Sequence, residues 1–210
     1  MRLIVTGGGT GGHLFPGIAL ATAMQRRVTE ARVLFIGTQR LMDQKALAGR
    51  NFELAALDCG AIKGLGLVAK LKSLLRMPGA VAEARTVLKR FEPDLVFGVG
   101  GYVTGPVLVA ARLLRVPIVI HEQNSVPGLA NRLAGMLADR ICISLPCRPP
   151  FPAARTVLTG NPVRQEILEA GAREKQEQAM PTVLVLGGSQ GAHRVNLMMM
   201  EAVERLTADG

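Results

Sequence analysis

The sequence predicts an α/β protein built on a parallel sheet with crossover helices. Three observations predict it. Short apolar runs alternate with helical patterns along most of the chain, two of these runs stop at glycine-rich loops, and the first loop recurs in form near the end. A length of 210 residues accommodates one large or two small domains, and 49% hydrophobic residues are ample for a core.

The first apolar run, Leu3 to Val5, reads as a buried strand. It enters a loop with glycine at 7, 8, 9, 11 and 12, which permits tight turns and close approach of a ligand to backbone. The helical pattern that follows, Phe15 to Arg27, carries Ile18, Leu20, Ala21 and Met24 at helical spacing, with Pro16 at its first turn. A helix starting after such a loop offers free N–H groups and the positive end of its dipole to an anion. Gly7-x-Gly9-x-x-Gly12 satisfies the dinucleotide fingerprint, but the second strand ends in Gly37-Thr38, where an acidic ribose ligand is required. A Walker loop would close with Gly-Lys-Ser/Thr, and here the glycines lead into His13. Nicotinamide chemistry and ATP hydrolysis are both disfavoured.

Strands are expected at Arg32 to Ile36 and Phe52 to Leu57, with a short helix at Leu41 to Ala48 between them. In the helical segment Ala61 to Met77, Leu67, Val68, Leu71, Leu74 and Leu75 share one face. Lys63, Lys70, Lys72 and Arg76 supply charge that no acid interrupts. Two readings stand for it: a surface helix lying on anionic lipid, or a core-facing helix with a solvated basic rim. A separate helix is expected at Val81 to Phe91. Pro93 to Phe97 then runs into a second glycine loop, Gly98 to Pro106, followed by a helix from Val107 to Leu114 and a strand at Pro117 to Ile120 that ends in His121-Glu-Gln-Asn124. Ligands bind outside the carboxyl ends of the strands in such sheets, so both loops and the polar quartet are expected to line one crevice.

A helix at Leu129 to Leu137 and a strand at Arg140 to Ile143 precede a connector broken by Pro146, Pro149, Pro150 and Pro152. A short strand at Thr156 to Leu158 leads to Thr159-Gly-Asn-Pro-Val-Arg164 and a charged helix from Gln165 to Glu177. The domain boundary is placed near Asn161 to Gln165. A strand at Thr182 to Leu186 then opens a second loop in which Gly187, Gly188, Gly191 and His193 repeat the spacing of Gly7, Gly8, Gly11 and His13. One strand, loop and helix cannot cover both faces of a sheet, so a second domain of the same type is expected, begun but not finished within this chain.

A formal charge of +9 draws the protein toward anionic partners. With no Trp and one Tyr it lacks the aromatic platforms that stack single-stranded bases, and no nucleic-acid motif is found, so nucleic acid is not an expected partner. Met1-Arg2-Leu3 reaches glycine too early for a signal peptide and no apolar run is long enough to span a bilayer, which suggests a cytosolic chain. Cys59, Cys142 and Cys147 have neither metal-ligand spacing nor a disulfide framework and read as idle thiols. No acidic metal cluster is visible, so neither a metal nor a cofactor is expected.

Five ordered motifs give the sequence a specific resemblance: Gly8-Gly-Thr-Gly-Gly-His13 followed by Phe15-Pro-Gly17, Gly100-Gly-Tyr-Val-Thr-Gly-Pro106, His121-Glu-Gln-Asn124, Gly160-Asn-Pro-Val-Arg164 and Gly187-Gly-Ser-Gln-Gly-Ala192. Together they resemble the MurG family of peptidoglycan N-acetylglucosaminyltransferases, which have the two-domain glycosyltransferase B fold. The resemblance implies a Rossmann-like acceptor-binding and membrane-associating domain over residues 1–160. Residues 161–210 would be a linker and the truncated start of a Rossmann-like donor domain. It implies inverting transfer of N-acetylglucosamine from UDP-N-acetylglucosamine to the C4 hydroxyl of the muramyl-pentapeptide on undecaprenyl pyrophosphate (lipid I). The product, lipid II, would form at the cytoplasmic face of the bacterial inner membrane for cell-wall synthesis.

Carried over by position, the resemblance implies donor contacts from Thr10, Gly11, Gly12, Asn124, Arg164 and Ser189, and acceptor-pyrophosphate contacts from Gly8, Gly9, Gly100, Gly101 and Tyr102. Their chemistry suits these parts: Asn124 can bond sugar hydroxyls, Arg164 can offset diphosphate charge, and glycine loops cradle phosphate oxygens. An inverting transfer needs a base for the acceptor proton, and His13 is the candidate, since histidine titrates near neutral pH. The competing reading is a histidine that caps or orders the loop. For His121 and Glu122 bonding to neighbouring loops is preferred to catalysis, and His193 receives no role. The resemblance also favours the membrane reading, with Leu67, Leu71 and Leu75 entering the interface while Lys70, Lys72 and Arg76 meet lipid headgroups. The family's uracil and ribose contacts lie beyond Gly210, so little turnover is expected of this chain alone. The alternative is a non-catalytic acceptor-binding or membrane-recruiting subunit with its donor half supplied in trans, against which the attached segment Pro181 to Leu206 argues.

Overall fold

The computed structural model describes residues 1–8, 11–37, 47–57, 67–172, 184–186 and 193–208, with only the backbone of 67–75 and 206–208. Seven strands, β1 (Arg2–Gly7), β2 (Arg32–Gly37), β3 (Glu53–Ala56), β4 (Leu95–Gly100), β5 (Ile118–Glu122), β6 (Arg140–Ile143) and β7 (Thr156–Leu158), form one sheet in the order β3-β2-β1-β4-β5-β6-β7. Every pairing is parallel. The helices are α1 (Gly11–Arg27), α2 (Leu67–Phe91), α3 (Thr104–Leu113), α4 (Leu129–Leu137), α5 (Gln165–Ala172) and α6 (His193–Ala208). The chain forms two compact units, Met1–Ala170 and Gly171–Gly210. The sheet lies wholly in the first, and the second contributes α6.

A parallel sheet covered on both faces needs strands apolar on both sides, which is why β1 reads as a continuous run. Its side chains divide by parity. Leu3 and Val5 pack with Leu14, Ile18 and Ala21 of α1 and with Phe35 and Phe97. Ile4 packs on the opposite face with Leu88 of α2 and with Val107 and Leu108 of α3. All three β1 residues are essentially inaccessible to solvent, and each such side chain contributes roughly 1.5–3 kcal/mol.

Several boundaries differ from the sequence expectation. Helix α1 begins at Gly11, four residues before Phe15, because Leu14 is a core residue in register with Ile18. Pro16 is therefore inside the helix and not in its first turn. The bond it cannot make is to the carbonyl of Gly12, and Gly12 is exposed to water. The two helices expected on either side of residue 78 are one, α2, whose buried Ala80, Ala84, Leu88 and Phe91 keep a single face, with Pro78 exposed. Strand β4 runs on to Gly100 and α3 starts at Thr104, since the Thr104 hydroxyl donates to the Gly100 carbonyl at 3.0 Å and closes the turn.

The strand expected at Thr182 to Leu186 is not seen in its described part. Leu184 and Leu186 are 75% and 78% exposed and in no regular element. A strand requires a neighbour for its ladder, and no described segment pairs with these residues. The expected helix at Leu41 to Ala48 lies outside the described residues except for its end, where Leu47 is buried. Helix α5 is described to Ala172, so residues 173–177 of the expected helix lie outside as well.

Candidate active site

The site follows from where the sheet changes direction. Strands β1 and β4 are neighbours, yet α1 leaves for one face and α3 for the other. Their loops therefore part at the carboxyl edge and leave a crevice there. The backbones first come into contact. Gly7 pairs with Gly100, and Gly101, at φ +94°, is so close to the other loop that a Cβ on it would stand 2.7 Å from the Gly8 carbonyl oxygen. Only glycine fits that approach in that conformation. Neither α1 nor α3 has an acidic residue in its first turn and α3 has no side-chain cap, and helix starts without an acid favour an anion. Gly8, Gly11, Gly12, Gly100 and Gly101 are thus brought together, with half-buried Tyr102 in the turn that follows. Gly9, Thr10 and Ser189 lie outside the described residues.

His13 sits in the first turn of α1, with its ring against Gly100: a Cβ there would meet Nδ1 at 3.0 Å and Cε1 at 3.1 Å. Its Nδ1 is 3.4 Å from Gln123 Oε1. The Gln123 amide nitrogen lies 3.1 Å from the Val99 carbonyl and 3.2 Å from His121 Nδ1, and His121 Nε2 lies 3.1 Å from the Gly160 carbonyl. Sequence reasoning gave Gln123 no role, although it links the two histidines. His121 is 1% exposed. Burial pushes its pKa below the ordinary histidine value, and the Gly160 carbonyl and Glu122 oppose that shift.

Glu122 points away from the histidines into its own loop. One carboxylate oxygen accepts from the Asn124 backbone N–H at 2.9 Å and the Asn124 side-chain amide at 3.0 Å. The other accepts from the Gly128 N–H at 3.2 Å and the Asn131 amide at 2.9 Å. Asn131 also donates to the His121 carbonyl at 3.1 Å. Asn124 is exposed and oriented by Glu122, which leaves one amide hydrogen and the carbonyl oxygen for a ligand.

Residues 159–166 cross the carboxyl edge. Thr159 N–H donates to Ile143 of β6, the Gly160 carbonyl meets His121 of β5, and Arg164 reaches α1, where its guanidinium lies over the Phe15 ring. Glu166 then pairs with Arg50 at 3.7 Å, just before β3. Phe15 was part of a recognised motif, but sequence reasoning gave it no part in placing Arg164.

A family model, the glycosyltransferase family 28 N-terminal domain, matches residues 3–143. The chain belongs to this family. The chain is 50% identical over 202 residues to the UDP-N-acetylglucosamine--N-acetylmuramyl-(pentapeptide) pyrophosphoryl-undecaprenol N-acetylglucosamine transferase of Desulfotalea psychrophila, covering 96% of this chain and 55% of that protein. The protein of the same name in Geobacter metallireducens is 46% identical, covering 98% and 58%. The crystal structure of Acinetobacter baumannii MurG superposes with a TM-score of 0.75 at 32% identity, covering 97% of this chain and 57% of that one. The chain thus spans a little over half the length of these relatives.

Elsewhere on the family 28 domain, the segment expected to meet the membrane is helical in backbone from Leu67 through Leu71 and Leu75 to Arg76, whose side chain is exposed. Among the described residues no helix is long and apolar enough to cross a membrane. Cys142 and Cys147 are free thiols whose pKa burial pushes up, which favours the protonated form over the nucleophilic thiolate.

Proposed function

We propose that this chain forms the acceptor half of an inverting N-acetylglucosaminyltransferase. It would work on UDP-N-acetylglucosamine and an undecaprenyl-pyrophosphoryl-muramyl-pentapeptide at the cytoplasmic face of the inner membrane. One observation carries the reading: a histidine in the first turn of α1 sets its ring against the turn before α3, neither helix has an acidic residue in its first turn, and the family 28 domain has relatives named for this transfer. The helix starts suit an acceptor pyrophosphate, with Gly8, Gly9, Gly100, Gly101 and Tyr102 around it. Thr10, Gly11, Gly12, Asn124, Arg164 and Ser189 serve the donor, and residues 161–210 begin the donor side.

In the step itself His13 takes the proton of the C4 hydroxyl. The oxygen's electron pair forms the new bond to the anomeric carbon from the face opposite UDP, and the bond from that carbon to the diphosphate oxygen breaks with its pair on UDP. The charge of +9 and the basic α2 start, Lys70, Lys72 and Arg76 beside Leu67, Leu71 and Leu75, suit an anionic bilayer that presents the acceptor.

The test is transfer of radiolabel from UDP-N-acetylglucosamine to a lipid I analogue, by this chain and by one extended to the length of its relatives. In the extended chain His13→Gln is expected to lower kcat about 100-fold or more. Near-normal turnover of that variant at saturating substrate removes the base assignment. Undiminished binding of Leu67→Ser/Leu71→Ser to anionic vesicles removes the membrane assignment.

A further inference from the structure

The carbonyls between Gly160 and His13 direct the arrangement of hydrogens, and the Ser144 hydroxyl, 3.5 Å from His121 Nε2, can accept alongside Gly160. A backbone carbonyl only accepts, so His121 Nε2 carries the proton that the Gly160 oxygen receives across 3.1 Å. The Val99 carbonyl likewise receives from Gln123 across 3.1 Å, which fixes the nitrogen end of that amide. The same NH2 faces the His121 carbonyl at 3.3 Å and His121 Nδ1 at 3.2 Å, and since an amide NH2 never accepts, a proton on Nδ1 would have no partner there. His121 is therefore neutral with its proton on Nε2, in keeping with the downward push of burial on its pKa. The remaining end of Gln123 is its carbonyl oxygen, which only accepts, so His13 donates to it from Nδ1 across 3.4 Å.

We propose that Gln123 and His121 are positioning residues that hold His13 in the Nδ1–H tautomer and so leave its Nε2 as the free base. The proposal rests on the assignment of His13 as the base and deepens it. Orientation by a fixed hydrogen bond on the far nitrogen is the usual way a protein chooses a histidine tautomer. Here the partner is a neutral amide whose own orientation is set by two carbonyls and a buried imidazole. Gly100 completes the seat, since any Cβ there would press on the His13 ring at 3.0 Å. When the acceptor proton moves to Nε2, His13 becomes a cation that keeps its Nδ1–H on Gln123, so the proton transfer itself requires no rearrangement of this chain of bonds.

The test is a two-bond proton–nitrogen correlation spectrum of the ring nitrogens of this chain at alkaline pH. Three histidines give three patterns, assigned with His13→Gln and His193→Gln. His13 is expected as Nδ1–H and His121 as Nε2–H. Gln123→Leu removes the acceptor, and His13 then shifts to the Nε2–H form that unpartnered histidines favour. Gln123→Glu still accepts and keeps the proton on Nδ1. A His13 that is Nε2–H in the unaltered chain, or that stays Nδ1–H in Gln123→Leu, overturns the proposal whatever the transfer assay shows. If Gln123→Leu does not fold, the unaltered chain and Gln123→Glu still decide. Full turnover of His13→Gln with the expected spectra would instead remove the base assignment and leave the tautomer standing.

Discussion

The guanidinium of Arg164 lies 4.4 Å from the centroid of the Phe15 ring, and that ring also packs over Gly11 at the start of α1. An arginine is thereby held beside the helix end best suited to an anion. Such a stack contributes roughly 0.5–1 kcal/mol at a partly exposed site. In the chain extended to the length of its relatives, Phe15→Leu is expected to weaken binding of UDP-N-acetylglucosamine about 2- to 5-fold by isothermal titration, and to have no further effect once Arg164 is alanine. Equal losses in both backgrounds would mean that Phe15 acts apart from Arg164.

His121 makes stability depend on pH. Its folded pKa lies below the ordinary 6.5, so between the two values the unfolded chain binds more protons than the folded one. Stability is then full above 6.5, falls as pH drops below it, and levels off beneath the lowered folded value. Urea denaturation across that window should give a shallower pH slope for His121→Gln than for the unaltered chain. Identical slopes would exclude a buried neutral imidazole.

Both oxygens of Glu122 face two donors each, so the site demands a group that only accepts. Glu122→Gln keeps the shape but sets an NH2 against two N–H groups in either orientation. A loss of about 2–3 kcal/mol is expected, read as a lower urea midpoint. A neutral result would show that the loop does not depend on this acceptor.

Two glycines should respond in opposite senses to alanine. Gly79, in α2, has nothing within 4 Å of its would-be Cβ, and Gly79→Ala should stabilise by about 0.5–1 kcal/mol. Gly101, at φ +94° with the Gly8 oxygen 2.7 Å from its would-be Cβ, should lose about 1–3 kcal/mol. Thermal melts separate them, at about 2–4 °C per kcal/mol for a chain of this size.

The sheet was legible because a strand buried on both faces leaves a run such as Leu3 to Val5, and each run ended at residues with turn chemistry. Helix boundaries were less so. Pro78 suggests a break locally, but the face of Ala80, Ala84 and Leu88 continues one helix. Glycine loops and the polar quartet announced the crevice through their composition. What composition could not convey was pairing over distance. Gln123 matters through His13, 110 residues away, and Phe15 through Arg164, which follows β7 in the chain. No local period records either.

In crossing the strand ends, residues 159–166 touch elements on both flanks of the sheet. The same eight-residue length bears on the buried imidazole through Gly160, on the aromatic ring of α1 through Arg164, and on the loop before β3 through Glu166. A displacement of this segment would therefore disturb the acceptor of the His121 proton and the seat of the Arg164 guanidinium together.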